Sequence, residues 1–203
     1  MISGIATSAA TLSLGNMRQA MFDARGDLAA LVYEADQDPD AILRDFASSL
    51  NARGLRAVGM VQAGQCADSS LSAVLLDSGE ILLLADDSDP AASCRLDVIR
   101  LQNAGDRVAA ALDAGADLLV INRFGKRERN GHGLIYLIER ALDAGTPVVI
   151  AVSRDRLADW IKFAGDMTVQ LACDRHALDS WWRNLSVRIP RAIDQDRQNA
   201  RSE

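Results

Sequence analysis

Residues 117–145 read DLLVINRFGKRERNGHGLIYLIERALDAG and predict a strand, a polar turn and a helix, in that order. The run Asp117–Ile121 is typical of a buried strand, and apolar residues recur at helical spacing between Leu134 and Ala144. The turn between them holds four cationic side chains, three glycines and one of the two histidines. Because parallel α/β sheets bind ligands beyond the carboxyl ends of their strands, this turn predicts a site for an anion.

Strand and helix patterns alternate along most of the remaining chain. Strands are predicted over 28–33, 56–62, 147–152 and 167–171, and helices over 39–53, 96–113, 154–164 and 176–185. Residues 72–77 and 80–85 flank Ser78 and Gly79, which predicts one β-hairpin. Alternation of this kind predicts an α/β fold of three layers, with a mostly parallel sheet and an inserted hairpin.

The composition limits what the protein can do. The 203 residues carry a net charge of −6, so the surface as a whole does not favour nucleic acid. Three widely spaced cysteines predict free thiols and no metal site, and no apolar run is long enough to span a membrane. We expect a cytoplasmic protein with a flexible extension over 1–26, a single domain over 27–190 and a polar tail over 191–203.

Four segments resemble a bacterial family of uncharacterised P-loop-like domains, sometimes labelled molybdenum-transporter ATP-binding proteins. The resemblance covers Leu28 to about Cys173, and the same order of elements is similar to the thermophile-type nucleoside triphosphatases. It implies a P-loop-NTPase-like fold, with a phosphate loop after the first strand and an acidic strand end before a Gly-Lys turn. The segments that carry it are Val58–Gln62, Cys94–Asp97, Leu119–Lys126 and Gly145–Val149.

Both of these family positions depart from the expected chemistry. A phosphate loop needs glycines whose amides surround the phosphates, a lysine that reaches them and a hydroxyl for Mg²⁺. The stretch Tyr33–Asp40 contains no glycine and no lysine, and it carries four carboxylates. Asn122 and Arg123 stand where the triphosphatases have an acidic pair. We therefore interpret both Walker motifs as degenerate and do not expect hydrolysis of a nucleoside triphosphate.

The basic turn supplies the predicted site. The predicted ligand-binding residues are Asn122, Arg123, Gly125, Lys126, Arg127, Arg129, Gly131, His132 and Gly133. Residues predicted to line the same crevice are Glu34, Asp36, Gln62, Cys94 and Arg95. An alternative is that the cations pair with Glu34, Asp36 and Asp38, because parallel strands would bring both loops to one edge of the sheet.

The first functional hypothesis is a non-hydrolytic binding or regulatory protein that recognises phosphate, molybdate, a nucleotide-like ligand or a protein partner. The alternatives are a divergent nucleoside triphosphatase or phosphotransferase, in which His132 could act as a general acid, and an interaction module in molybdenum or metal-cofactor metabolism. This last hypothesis depends on the family label alone. Trp181 and Trp182 are candidate contacts of a homodimer.

Overall fold

A computed structural model describes residues 26–63, 71–85, 96–165 and 168–188. Its centre is a seven-stranded sheet in the order β4-β3-β2-β5-β6-β1-β7. The strands are β1 (Leu28–Tyr33), β2 (Ala57–Ala63), β3 (Ser72–Leu75), β4 (Ile81–Leu83), β5 (Leu118–Arg123), β6 (Val148–Ser153) and β7 (Thr168–Ala172). The pairs β2·β5, β5·β6, β6·β1 and β1·β7 are parallel, and β3 and β4 form the antiparallel hairpin.

Helices cover both faces of this sheet. They are α1 (Pro39–Ala52), α2 (Val98–Asp113), the single turn α3 (Lys126–Arg129), α4 (Ile135–Asp143), α5 (Leu157–Ala164) and α6 (Arg175–Arg188). One apolar core joins the sheet to α2, α4 and α5, and a second core joins the other face to α1 and α6. The predicted α/β fold with three layers, a mostly parallel sheet and a hairpin is confirmed.

Most element boundaries lie within two residues of their predicted positions. Asp38 caps α1 as predicted, because its carboxylate accepts a hydrogen bond from the backbone N–H of Ala41 at 3.1 Å. Two differences matter locally. The helix predicted from Arg154 begins with a 3₁₀ turn over Arg154–Arg156, and the basic turn contains the short helix α3.

The predicted extension and tail fall outside the described residues, apart from Gly26 at the end of the extension. Gly26 is hydrogen-bonded to α6. Its carbonyl oxygen accepts a hydrogen bond from Trp181 Nε1 at 2.7 Å. Within the described ranges, no helix has the length and apolar character that a membrane crossing requires.

Candidate functional site

The crevice arises where β2 and β5 separate. These strands pair only from Ala57 to Gly59 and from Leu118 to Val120, and the rest of β2, from Met60, pairs along its other edge with β3. Gly59 has a φ of +125°, and a Cβ there would lie 2.0 Å from the carbonyl oxygen of Val120. Glycine is therefore required at the point of closest approach. Beyond it the pairing of the two strands ends, and residues from the carboxyl ends of both line a cavity.

An irregularity near the end of β5 directs Arg123 toward α1. Ile121 is paired with Ile150 but Arg123 is paired with Ala151, so two steps along β5 correspond to one step along β6. Arg123 thus takes the register position that the preceding residue would hold in a regular strand. Ala151 belongs to the core beneath α1 and α6, so this shift brings Arg123 to the side of the sheet on which α1 packs.

There Arg123 meets Asp40 in the first turn of α1. Arg123 Nε donates to Asp40 Oδ2 at 3.1 Å, and its Nη2 contacts the same oxygen. The backbone N–H of Gln62 donates to Asp40 Oδ1 at 3.2 Å. The guanidinium carbon of Arg123 lies 5.3 Å from the centroid of the Tyr33 ring. One ion pair therefore joins the ends of β1, β2 and β5 to the start of α1.

Asp40 is only 7% exposed, which makes it the most buried aspartate in the part of the chain that the structure describes. Burial raises the pKa of Asp40 above its ordinary value, although the neighbouring Arg123 acts in the opposite direction. The amino end of α1 is where an anion would gain from the helix dipole. The chain's own carboxylates, those of Asp38 and Asp40, occupy that place.

An ion pair between the two loops was predicted and is present, but the acid that forms it differs from the predicted ones. Parallel strands do bring the loops to one edge, yet the partner of Arg123 is Asp40, not Glu34, Asp36 or Asp38. Glu34 pairs with Arg154 at 2.9 Å, and Asp36 is exposed. Asp40 is preferred because the helix holds it directly beneath the end of β5. Among the described residues, no group of three or more His, Cys, Asp or Glu could hold a metal ion.

The two ends of the basic turn are linked through Glu128. The carboxylate of Glu128 is buried and accepts hydrogen bonds from the backbone N–H groups of Gly125 at 3.0 Å and Leu134 at 3.4 Å. Gly133 has a φ of +71°, and a Cβ there would lie 2.2 Å from Glu128 Oε1. The role of Glu128 was not predicted from the sequence, although its position three residues after Gly125 is typical of a helix cap.

The cations of this turn have different surroundings. Arg129 pairs with Asp159 on α5 at 3.2 Å. Lys126 and Arg127 form no ion pair within the described ranges, and both line a cavity of about 280 Å³ at the crevice. Gln62, Arg123, Gly125 and Glu128 contribute to the same wall, and the remaining lining is apolar: Met60, Leu71, Leu84, Leu96, Leu101, Ile121 and Leu134.

His132 does not adopt the arrangement of a catalytic dyad. Its ring is exposed, and Nδ1 lies 2.8 Å from the carbonyl oxygen of Asn130, so Nδ1 carries the proton of that hydrogen bond. Gly131, beside it, is exposed with a φ of +73°. No carboxylate in the described part of the chain is hydrogen-bonded to the ring. This leaves Nε2 as the nitrogen that a ligand could contact.

The remaining candidates lie elsewhere or are buried. Cys94 and Arg95 fall outside the described residues. Cys173 is a buried free thiol, and burial together with nearby aspartates raises its pKa to about 11, so it stays protonated. Trp181 and Trp182 are 5% and 7% exposed within the chain's own core. Their rings are therefore not free to anchor a partner, and dimerisation stays a prediction without that support.

Known proteins share this architecture. The chain superposes on THEP1 from the hyperthermophile Aquifex aeolicus with a TM-score of 0.53 and 12% identity, covering 80% of this chain and 99% of that one. A human cancer-related nucleoside triphosphatase gives a TM-score of 0.53 and 14% identity, covering 78% and 96%. These likenesses establish that the fold is P-loop-NTPase-like.

Sequence comparison finds a relative among curated proteins, the molybdenum import ATP-binding protein ModC 2 of Bradyrhizobium diazoefficiens. It is 36% identical over 169 residues, which are 81% of this chain but only 19% of that protein. The model of one protein family, described as "Protein of unknown function (DUF2478)", matches residues 28–181. That match covers the sheet, the crevice and the helices on both faces, and the chain therefore belongs to the DUF2478 family.

Proposed function

We propose that this protein binds a small anionic ligand in the crevice and does not hydrolyse a nucleoside triphosphate there. The observation that carries this proposal is the contrast between Arg123, which is paired with Asp40, and Lys126 and Arg127, which line the cavity without an ion-pair partner among the described residues. The ion pair of Arg123 with Asp40 occupies the place where a phosphate loop would bind its ligand. Lys126 and Arg127 remain available to a ligand beside it.

Hydrolysis is disfavoured by the charges at the two positions that would perform it. The negative charges of Asp38 and Asp40 at the amino end of α1 would repel a polyphosphate. No glycine-rich loop or lysine is present there to surround the phosphates. Arg123 at the end of β5 cannot orient hydrated Mg²⁺ or activate water, as a carboxylate would. We therefore propose that both Walker motifs are degenerate.

Anion binding is supported by the surroundings of Lys126 and Arg127. The cavity wall beside them is largely apolar, and charge interactions are stronger where water is partly excluded. Gly125 also lines the cavity, and its backbone N–H donates to Glu128. The carboxylate of Glu128 also lines this cavity, but it is held by the backbone N–H groups of Gly125 and Leu134, while Arg123 pairs with Asp40.

Phosphate, sulfate, molybdate and tungstate are suitable first probes, because each is an oxyanion that two cations can hold. Molybdate is included because the name of the relative in Bradyrhizobium refers to molybdenum import. A nucleotide is the corresponding organic probe. A regulatory role would follow if the bound anion changed the affinity for a protein partner.

The test is a thermal-shift and calorimetric titration of the full chain with these anions. A ligand present at 100 times its Kd should stabilise the fold by about 2.7 kcal/mol. The variants Lys126→Ala and Arg127→Ala should each weaken binding about tenfold, as expected when one charge-assisted contact is lost. Lys162→Ala and Arg53→Ala are matched controls, because both side chains are exposed and lie away from the cavity.

Two results would overturn the proposal. If no anion or nucleotide shifts the melting temperature, the cations serve only the fold. If the protein releases phosphate from ATP or GTP in a Mg²⁺-dependent manner, and Lys126→Ala abolishes this release, the divergent triphosphatase becomes the preferred function.

A further inference from the structure

We infer that the ligand of this crevice is an organic anion whose flat ring lies against Tyr136, in a second compartment beside the anion cavity. This inference rests on the proposed anion site and adds the class of ligand. It follows from a second cavity of about 280 Å³ between the starts of α2 and α4. The two cavities share three lining residues: Leu101, Arg127 and Leu134.

The chemistry of the second compartment differs from that of the first. Apart from the shared Arg127, its lining contains no lysine, arginine, aspartate or glutamate, and it offers the apolar Val98, the ring of Tyr136 and the amide of Gln102. An amide that can both donate and accept hydrogen bonds suits the edge of a heterocyclic ring. His132 Nε2 is a further polar group there, because Nδ1 is held by the carbonyl of Asn130.

Gly105 explains how Tyr136 reaches this position. A glycine in the interior of α2 destabilises the helix relative to alanine, so its presence there calls for a reason. A Cβ at Gly105 would lie 2.5 Å from the hydroxyl oxygen of Tyr136 and 2.8 Å from Leu134 Cδ2. The glycine therefore lets both side chains lie directly on α2, where they form part of the compartment wall. Burial raises the pKa of Tyr136, so its hydroxyl stays neutral beside an anion.

Size supports a ligand that occupies both compartments. Pockets for small organic ligands have volumes of roughly 300–1,000 Å³, and each cavity alone falls just below that range. A ligand that extended past Arg127 into both cavities would occupy a volume within that range. Because Arg127 lines both cavities, its cation would contact the part of the ligand that connects the anionic group to the ring. An inorganic oxyanion would fill the first compartment only.

The test compares AMP with ribose 5-phosphate and inorganic phosphate by calorimetry on the full chain. AMP should bind about tenfold more tightly than ribose 5-phosphate, since an aromatic contact with a base contributes that much. Tyr136→Ala should remove this preference and leave the affinity for ribose 5-phosphate unchanged, whereas Lys126→Ala should weaken both ligands. Gly105→Ala, which displaces the Tyr136 ring without deleting it, should also reduce the preference for AMP.

Ile99→Ala is the matched control, because Ile99 lies in the same turn of α2 as Val98 but is 71% exposed and outside the cavity. It should leave both affinities unchanged. Equal affinities for AMP and ribose 5-phosphate would overturn the ring compartment and leave the anion site standing. Failure of all three ligands and of the inorganic oxyanions to bind would overturn the anion site, and the ring compartment with it.

Discussion

The acidic loop after β1 and the basic turn after β5 lie at the same edge of the sheet but use their charges differently. In the acidic loop, Asp38 caps its own helix, Asp40 holds Arg123 and Glu34 pairs with Arg154. In the basic turn, Lys126 and Arg127 line a cavity without an ion pair in the described part of the chain. These acids thus have partners within the chain, whereas the two cations lie beside a cavity without one in that part of the chain.

The largest effect is expected from Gly133→Ala, which would disrupt the basic turn alone. The new Cβ would collide with Glu128 at a residue whose φ is positive, so we expect a loss of about 2–4 kcal/mol in the free energy of unfolding. Gly131→Ala is the matched control: its φ is +73°, but nothing lies within 4 Å of its Cβ position. It should cost about 1 kcal/mol. Chemical denaturation measures both, and equal losses would contradict the role given to Glu128.

The next effect is expected from Arg123→Ala, which would separate the two loops. Leaving the Asp40 carboxylate buried without its cation should cost about 1–3 kcal/mol at neutral pH. Arg123 is partly exposed, so the loss should be smaller than for a fully buried pair. Urea denaturation of the variant and the unmodified protein gives this difference directly.

The cost of Arg123→Ala should depend on pH. Burial already raises the pKa of Asp40, and loss of Arg123 should raise it further above the unfolded value. A carboxyl whose folded pKa is raised binds its proton more tightly in the folded state, so stability falls as pH rises through the interval between the two pKa values. The cost should therefore be small in acid and grow toward neutral pH. A cost that is the same at all pH values, or that persists in the Asp40→Asn/Arg123→Ala double variant, would contradict this.

The smallest effect is expected from Glu34→Ala, which removes the exposed ion pair with Arg154. Both side chains are more than half exposed, so water screens their attraction and the loss should be about 0.5 kcal/mol or less. The same denaturation experiment measures it, with added salt as the control. A loss as large as that of Arg123→Ala would mean that burial does not distinguish the two pairs.

Local patterns were enough to predict most of the fold. The runs 28–32 and 148–152 are apolar throughout, because strands covered on both faces need no polar side. Asp38 before Pro39 marked the start of α1 for a purely local reason, since a cap contacts its own helix. The absence of glycine and lysine after β1 could likewise be seen in the sequence alone.

The partners of the charged residues could not be predicted in the same way. The sequence contains several acids near the end of β1, and nothing local distinguishes Asp40 from Asp36 or Glu34. Arg123 pairs with Asp40 because of three features of the packed structure. They are the irregularity in β5, the end of the β2–β5 pairing at Gly59 and the packing of α1 against the sheet. The role of Gly105 was equally invisible, because Tyr136 meets it from a different helix.

Residue order and side-chain chemistry determined that this chain forms a parallel α/β sheet with a basic turn at one edge, because apolar periodicity and capping are properties of neighbouring residues. Tertiary structure alone decided that Arg123 pairs with Asp40 and that Lys126 and Arg127 lie beside a cavity that shares lining residues with a second one. Ion pairs and cavities depend on distances between segments that are far apart in the chain, and only the packed sheet and helices set those distances.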